Sequence, residues 1–263
     1  MKRMKILRWQ EGDLTELSDK IAEGCFLHLE LNDGIGFDTM ISPEQVKEFV
    51  YGNLFSEGFI KKEKDVLSYH HKRRGSNISA DVRLADDKKI TFARNYNVIW
   101  TDCASPSLIQ KRIGDRLAKV KSTLKLDPQS IVDASKKTRE LSQPYLETGA
   151  LHSAFLFDGR MELIAHAHDV SRHNAVDKVI GIHFLDGKSF DDTVVMTTGR
   201  ITSSLVLKCL RVGIPMVVSR GAPLHDSIEL AREYGLGMVG FLRGRRFNIY
   251  SVEEMIAVGD TSG

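Results

Sequence analysis

Between residues 193 and 242 the chain alternates short apolar runs with amphipathic ones, and few folds can satisfy that order. Residues 193–198, 214–218 and 236–242 read as strands, and residues 202–212 and 223–234 read as helices. Strands joined by helical crossovers lie parallel in one sheet, because a short hairpin cannot connect them. The loops leaving those strands then share one edge, where open α/β sheets bind ligands. They are Gly199-Arg200, Ser219-Arg220-Gly221 and Arg243-Gly244-Arg245-Arg246. Guanidinium forks and backbone amides at helix starts suit phosphate groups, Gly199 and Gly221 allow close approach, and Thr202, Ser203 and Ser219 offer hydroxyls. A nucleotide or a pyrophosphate fits this chemistry. Solvated arginines on surface loops are the plain alternative for any single loop, and it is the convergence of several that favours a site. The sequence has no Walker phosphate loop and no Gly-x-Gly-x-x-Gly fingerprint.

The preceding segment extends the same layout. Residues 151–157 and 161–168 read as strands joined by a tight turn at Asp158-Gly159. If the second of them runs with the parallel strands, the loop from Asp169 to Asn174 reaches the same edge. Thr148-Gly149, entering the antiparallel neighbour, does so too.

The first half is expected to be β-rich. Cys25 to Ile41 alternates apolar and polar residues around Asn32-Asp33-Gly34, which predicts a hairpin. Ser42-Pro43-Glu44-Gln45 has the form of a capping box and predicts a helix to about Phe55. Residues 65–71, 77–84 and 89–94 read as further strands. Ile109, Ile113, Leu117, Val120 and Leu124 fall at helical spacing, and Asp127-Pro128 caps another helix to about Leu141. The expected architecture is α/β in two domains. Residues 1–125 form a β-rich α+β domain carrying the Cys103 loop near its end, and residues 126–263 form an α/β domain.

A length of 263 residues suffices for two such cores. Hydrophobic content of 42% and charged content of 27% are those of a soluble globular protein. No run approaches the roughly 18 apolar residues of a membrane span. Met1 to Trp9 lacks the apolar core and cleavage site of a secretory signal, so a cytoplasmic location is expected and a membrane partner is not. A net charge of +2 leaves no whole-molecule footprint for nucleic acid.

Three widely spaced cysteines suit reduced thiols rather than a disulfide framework. Cys25 lies in an alternating strand and Cys209 in an apolar helix stripe, where buried, inert thiols are expected. Cys103 sits in a polar loop ahead of a helix start, with Lys111 and Arg112 nearby to favour thiolate and Asp102 to oppose it. His152 begins an apolar strand and His173 lies in a polar loop. Neither has the paired spacing of a metal site, so a core or ligand-contacting role is expected for each. The basic run from His70 to Arg74 reads as a solvated hairpin end or a partner contact.

Five stretches taken together carry a family resemblance. They are Thr148-Gly149-Ala150-Leu151-His152, Asp169-Val170-Ser171-Arg172-His173-Asn174-Ala175-Val176-Asp177-Lys178, Thr197-Thr198-Gly199-Arg200, Ser219-Arg220-Gly221-Ala222-Pro223 and the run from Gly240 to Tyr250. In that order they resemble the signatures of the formate dehydrogenase accessory proteins, the FdhD/NarQ sulfurtransferases. In the first half, the stretch around Ser56-Glu57-Gly58 and the Cys103 region are also similar. The resemblance implies a cytidine-deaminase-like three-layer α/β/α domain with a smaller amino-terminal domain, commonly as a homodimer. It also implies that sulfur from a cysteine desulfurase is held as a persulfide on Cys103. That sulfur passes to bis(molybdopterin guanine dinucleotide) molybdenum cofactor, bound as substrate, and formate dehydrogenase receives the product. Phe241, Leu242, Arg243, Gly244, Arg245 and Arg246 match the family's cofactor-binding stretch.

One departure stands out. Family members usually carry a Cys-Gly-x-Cys-Gly loop, whereas this chain reads Cys103-Ala104-Ser105-Pro106-Ser107. A persulfide needs one thiol, so transfer remains chemically open. A non-catalytic cofactor-binding chaperone and a general nucleotide-binding module are the competing readings. The implied deaminase-like fold comes without deaminase chemistry, because the His-x-Glu and Pro-Cys-x-x-Cys motifs are missing from the sequence. The purified protein is therefore expected to hold no stoichiometric zinc and to deaminate neither cytidine nor adenosine. Metal analysis finding one tightly bound zinc per chain would overturn this.

Overall fold

The computed structural model describes residues 1–32, 34–85 and 117–257. Two sheets carry the fold, and a mixed α/β class follows from them. The smaller has four strands in the order β4-β3-β6-β5, with β3 spanning Cys25–Leu31, β4 Ile35–Ile41, β5 Val66–Arg74 and β6 Asn77–Leu84. Its inward side chains alternate as the sequence pattern requires: Cys25, Leu27, Leu29 and Leu31 on β3 and Ile78, Ala80, Val82 and Leu84 on β6 are buried. A separate ribbon of β1 (Lys2–Gln10) and β2 (Asp13–Ile21) precedes it. The predicted strand at residues 89–94 lies outside the described residues.

The larger sheet has six strands in the order β12-β11-β10-β9-β7-β8. They are β7 (His152–Asp158), β8 (Leu163–Asp169), β9 (Thr193–Thr197), β10 (Met216–Ser219), β11 (Gly237–Arg243) and β12 (Arg246–Ser251). β9, β10 and β11 are mutually parallel, while β7 is antiparallel to both β8 and β9. β8 therefore runs with the parallel strands.

Helices cover both faces of this sheet. Ala154, Leu156, Val195, Val217 and Met238 point into a cluster with α4 (Arg172–Leu185), α5 (Ser203–Val212) and Ala231 of α6 (His225–Tyr234). Their strand neighbours Phe155, Phe157, Val194, Met196, Met216 and Val218 point the other way, against Leu124, Leu126 and residues of α2 (Pro128–Leu141). A short α3 (Gln143–Thr148) leads into β7.

Two local expectations fail for identifiable reasons. The helix that follows β4 is α1 (Val46–Ser56), and it starts from Gln45 in a left-handed conformation without a side-chain cap. Ser42 stands three residues ahead of that start and its Oγ makes no hydrogen bond among the described residues, while its N–H donates to Asp169 at 2.9 Å and its carbonyl accepts from Lys178 at 3.1 Å. The helical spacing from Ile109 to Leu124 also misleads where it can be followed. Residues 117–125 are not helical. There the Val120 N–H donates to the Tyr234 carbonyl, and Leu126 pairs in a parallel bridge with Ile256. Residues 109–116 lie outside the described residues.

One buried cluster includes side chains of both sheets, and it closes where α1 meets α4. A Cβ on Gly52 would stand 1.8 Å from the Asp177 carbonyl oxygen, and one on Gly181 would stand 1.8 Å from the Glu48 carbonyl oxygen. No side chain fits at either point. Beside this contact Lys208 meets Glu57 at 2.7 Å and Asp177 at 3.0 Å, and Arg211 meets Glu57 at 2.9 Å. Burial alone would raise the Glu57 carboxyl, but Lys208 and Arg211 outweigh it and hold it below its ordinary range. Gly181→Ala is expected to destabilise the protein by about 3 kcal/mol or more, since the helices must separate to admit a methyl group. Urea denaturation with an unchanged midpoint would contradict the contact.

Candidate functional site

The direction of β8 decides which loops meet. Because β8 through β11 end at one edge and β7 begins there, the segments 148–151, 169–172, 198–202, 219–224 and 243–246 all converge on it. The condition posed for the Asp169 loop is met.

The loops are wired to one another through their backbones. Ser219 Oγ donates to the Gly199 carbonyl and accepts the Gly221 N–H at 2.9 Å. Ile201 N–H donates to Ala222, and Leu224 N–H returns to Ile201, each at 3.0 Å. Phe241 N–H donates to the Gly221 carbonyl at 3.0 Å, which ties the β11 end to the β10 loop. A Cβ on Gly221 would lie 2.8 Å from the Gly199 carbonyl oxygen, and one on Gly199 would lie 2.7 Å from Arg172 Cβ. These glycines let loop approach loop. The hydroxyls have similar duties: Thr202 caps α5 and bonds His173 Nε2 at 2.9 Å, while Ser203 is held by Asp226.

Phe241 to Arg246 forms the end of β11, a turn and the start of β12. β12 was not anticipated, and its pairing turns the predicted loop into a hairpin, with Arg243 opposite Arg246. Phe241 has a φ of 52°, an uncommon conformation for a bulky residue, within an irregular stretch of the ladder. Leu242 is buried, and Arg243 lies over the Phe241 ring at 5.6 Å. Gly244 has a φ of 61°, which closes the turn, and leaves Arg245 and Arg246 exposed. Among the described residues no carboxylate forms an ion pair with Arg172, Arg200, Arg220, Arg243, Arg245 or Arg246, so the edge keeps its positive charge.

The Asp169 loop is shorter than read. Asp169 accepts the Ser171 N–H at 3.0 Å, and α4 begins at Arg172, so His173 lies in its first turn and is 3% exposed. The His173 ring is buried beside Thr202 and Ser204 rather than in an open loop. Asp169 itself meets Lys178 at 2.7 Å with both side chains fully buried, and burial still pushes its carboxyl up. His152 begins β7 as expected.

Cys103, the predicted catalytic residue, lies outside the described residues. Cys25 and Cys209 are fully buried, and burial pushes both thiols up, Cys209 to about 12. Neither is a ready thiolate near neutral pH. The run from His70 to Arg74 is the exposed end of β5 where it turns into β6. Among the described residues, no helix is long and apolar enough to cross a membrane.

Since Ser219 links the β9 and β10 loops through its side chain, Ser219→Ala should cost about 1–3 kcal/mol by orphaning the Gly199 carbonyl and the Gly221 N–H. Chemical denaturation checks this, and a change under a few tenths of a kcal/mol would show the loops hold without it.

A family model described as the FdhD/NarQ family matches residues 22–257. The chain is 32% identical over 254 residues to a protein of Staphylococcus haemolyticus named Sulfur carrier protein FdhD, covering 95% of each. It is 29% identical over 256 residues to one of the same name from Bacillus subtilis, again covering 95% of each. Among solved structures it is similar to a chain described as a formate dehydrogenase accessory protein from Desulfotalea psychrophila. There the TM-score is 0.75 at 27% identity, over 97% of this chain and 98% of that one. With a model match spanning most of its length, the chain belongs to the FdhD/NarQ family.

Proposed function

We propose that this protein is a sulfur carrier for formate dehydrogenase, a sulfurtransferase that takes sulfur from a cysteine desulfurase and passes it to bis(molybdopterin guanine dinucleotide) molybdenum cofactor. The observation that carries the reading is the edge of the larger sheet, where six arginines from four loops gather with no carboxylate paired to them among the described residues. Such an edge suits the phosphates of a guanine dinucleotide. The relatives named as sulfur carriers supply the chemistry to be tested here. On this reading the cofactor is substrate, the stretch from Phe241 to Arg246 binds it, and a homodimer in the cytoplasm is the working form.

Cys103 is the acceptor. Its thiolate attacks the terminal sulfur of a persulfide on the desulfurase, the donor sulfur–sulfur bond breaks, and the donor cysteine leaves as thiolate. Cys103 then holds the persulfide. With Pro106 in place of the family's second cysteine, no neighbouring thiol in that loop can expel the sulfur as an internal disulfide forms. The persulfide should therefore last longer than in a two-cysteine relative.

Mass spectrometry after incubation with a desulfurase and cysteine tests this. A gain of one sulfur atom is expected, lost with reductant and absent from Cys103→Ala. If the alanine variant still gains sulfur, or supports formate dehydrogenase activity in cells as wild type does, the carrier role gives way to that of a cofactor-binding chaperone.

A further inference from the structure

Two nitrogens at the ligand edge are shut off from solvent and have no hydrogen-bond partner among the described residues: Nε of Arg172 and Nδ1 of His152. Folded proteins seldom leave such groups unsatisfied, because a buried donor without an acceptor is costly. The two belong to one place. β7 lies between β9 and β8, and His152, its first residue, pairs with Asp169 on β8. The next residue, Ser153, donates its N–H to Thr198 beyond the end of β9 at 3.0 Å. Arg172 starts α4 just after β8, yet its stem packs on Gly199, which follows β9. The arginine therefore crosses the start of β7, where His152 sits.

Among the described residues no carboxylate forms an ion pair with this charge. Asp169, opposite His152 on the neighbouring strand, has its oxygens taken by Lys178 at 2.7 Å, the Ser42 N–H at 2.9 Å and the Ser171 N–H at 3.0 Å. Burial, and then the charges of Arg172 and His173, hold the His152 ring below its ordinary pKa, which favours the neutral form, and the tautomer with its proton on Nδ1 has one N–H to give. A guanidinium N–H and an imidazole N–H without an internal acceptor offer two donors to one oxyanion, and a phosphoryl group is among those a guanidinium binds strongly.

We propose that Arg172 and His152 form an oxyanion seat that takes one phosphoryl group. The seat is separate from the turn at Arg243 to Arg246 and holds the phosphate end of the nucleotide. For the nucleotide it rests on the reading above; for the phosphoryl group it stands on the two unpartnered nitrogens. Gly199 belongs to the seat as well, because any side chain there would displace the arginine stem.

Calorimetry on the full chain with inorganic pyrophosphate and with GDP separates the two claims. Arg172→Gln should weaken both ligands roughly ten- to a hundredfold, the loss of a charge-assisted hydrogen bond. The double variant Arg245→Ala, Arg246→Ala should weaken GDP and leave pyrophosphate near its wild-type affinity. Wild type that binds pyrophosphate but not GDP would keep the seat and defeat the nucleotide reading. Wild type that binds neither, or Arg172→Gln that binds both as wild type does, would overturn the seat. A readout free of variants is the Arg172 Nε–H resonance, which should move when pyrophosphate is added to the wild-type protein; a resonance that stays in place also overturns the proposal.

Discussion

Two backbones in contact set the geometry of the rest. Where α1 crosses α4, Gly52 and Gly181 bring each helix against a carbonyl oxygen of the other, and the buried clusters of both sheets join around that crossing. The charges beside it are arranged for the same end. Asp177 leaves α4 next to the crossing, accepts from Ser56 at 2.7 Å and Asn53 at 2.9 Å on α1, and meets Lys208 from α5. Glu57, just past α1, takes Lys208 and Arg211. Buried ions of this kind rarely add much stability over an apolar core, but removing one partner strands the others at a cost of about 3–5 kcal/mol. Such a network selects one docking of α1 on α4 and α5. The stretch Ser56-Glu57-Gly58, noticed in the sequence as a family feature, therefore serves packing.

The ligand edge inherits its shape from this docking through α4. The helix begins at Arg172 because Asp169 receives the Ser171 N–H, and Asp169 is held in turn by Lys178 one helical pass later and by the Ser42 N–H from the smaller sheet's side. Asn174 reaches the Met40 carbonyl at 2.8 Å. The same short segment thus faces the first half of the chain with its carboxylate and amide, and faces the edge with Arg172. A shift of α1 would move the arginine.

Much of this was legible in the sequence. Asp127-Pro128 marks α2 because a carboxylate that accepts the Ser130 N–H at 3.0 Å and a proline at the first turn are local facts, independent of the fold. The parallel order of β9 to β11 follows from their helical crossovers, and the convergence of the arginine loops follows from that order. α4 was not legible as a helix, and the reason is physical. His173, Asn174, Asp177, Lys178 and His183 are all buried in it, so polar residues mark no solvent face and the helical period disappears. The apparent capping box at Ser42 failed for the opposite reason: the local pattern is present, but Asp169 and Lys178, more than a hundred residues away, hold the Ser42 backbone, and the helix begins three residues past it, from Gln45. β12 was hidden because its residues, Arg246 to Ser251, lie at the sheet's edge with only Ser251 buried, so no buried face marks a strand period after the Arg243-Gly244-Arg245 turn. The β1–β2 ribbon turns on Glu11 and Gly12, both at positive φ, and Glu-Gly marks such a turn less strongly than Asn-Gly or Asp-Gly does.

The placement of the cysteines narrows the chemistry further. A carrier thiol must be both reachable and ionisable, since only the thiolate attacks a persulfide. Cys25 points inward from β3, with every second residue of that strand buried, and cannot turn outward without a register slip that would expose the whole face. Cys209 is packed in α5 between the sheet and the Lys208 network, and even that neighbouring charge does not prevent burial from pushing its thiol to about 12. Both are structural by the same physics that builds the core. Two of the chain's three cysteines are thereby committed to packing, and for the third the two halves of a transfer differ: accepting sulfur needs only one thiolate that attacks sulfane sulfur, whereas releasing it as sulfide needs two electrons from a second thiol or another reductant.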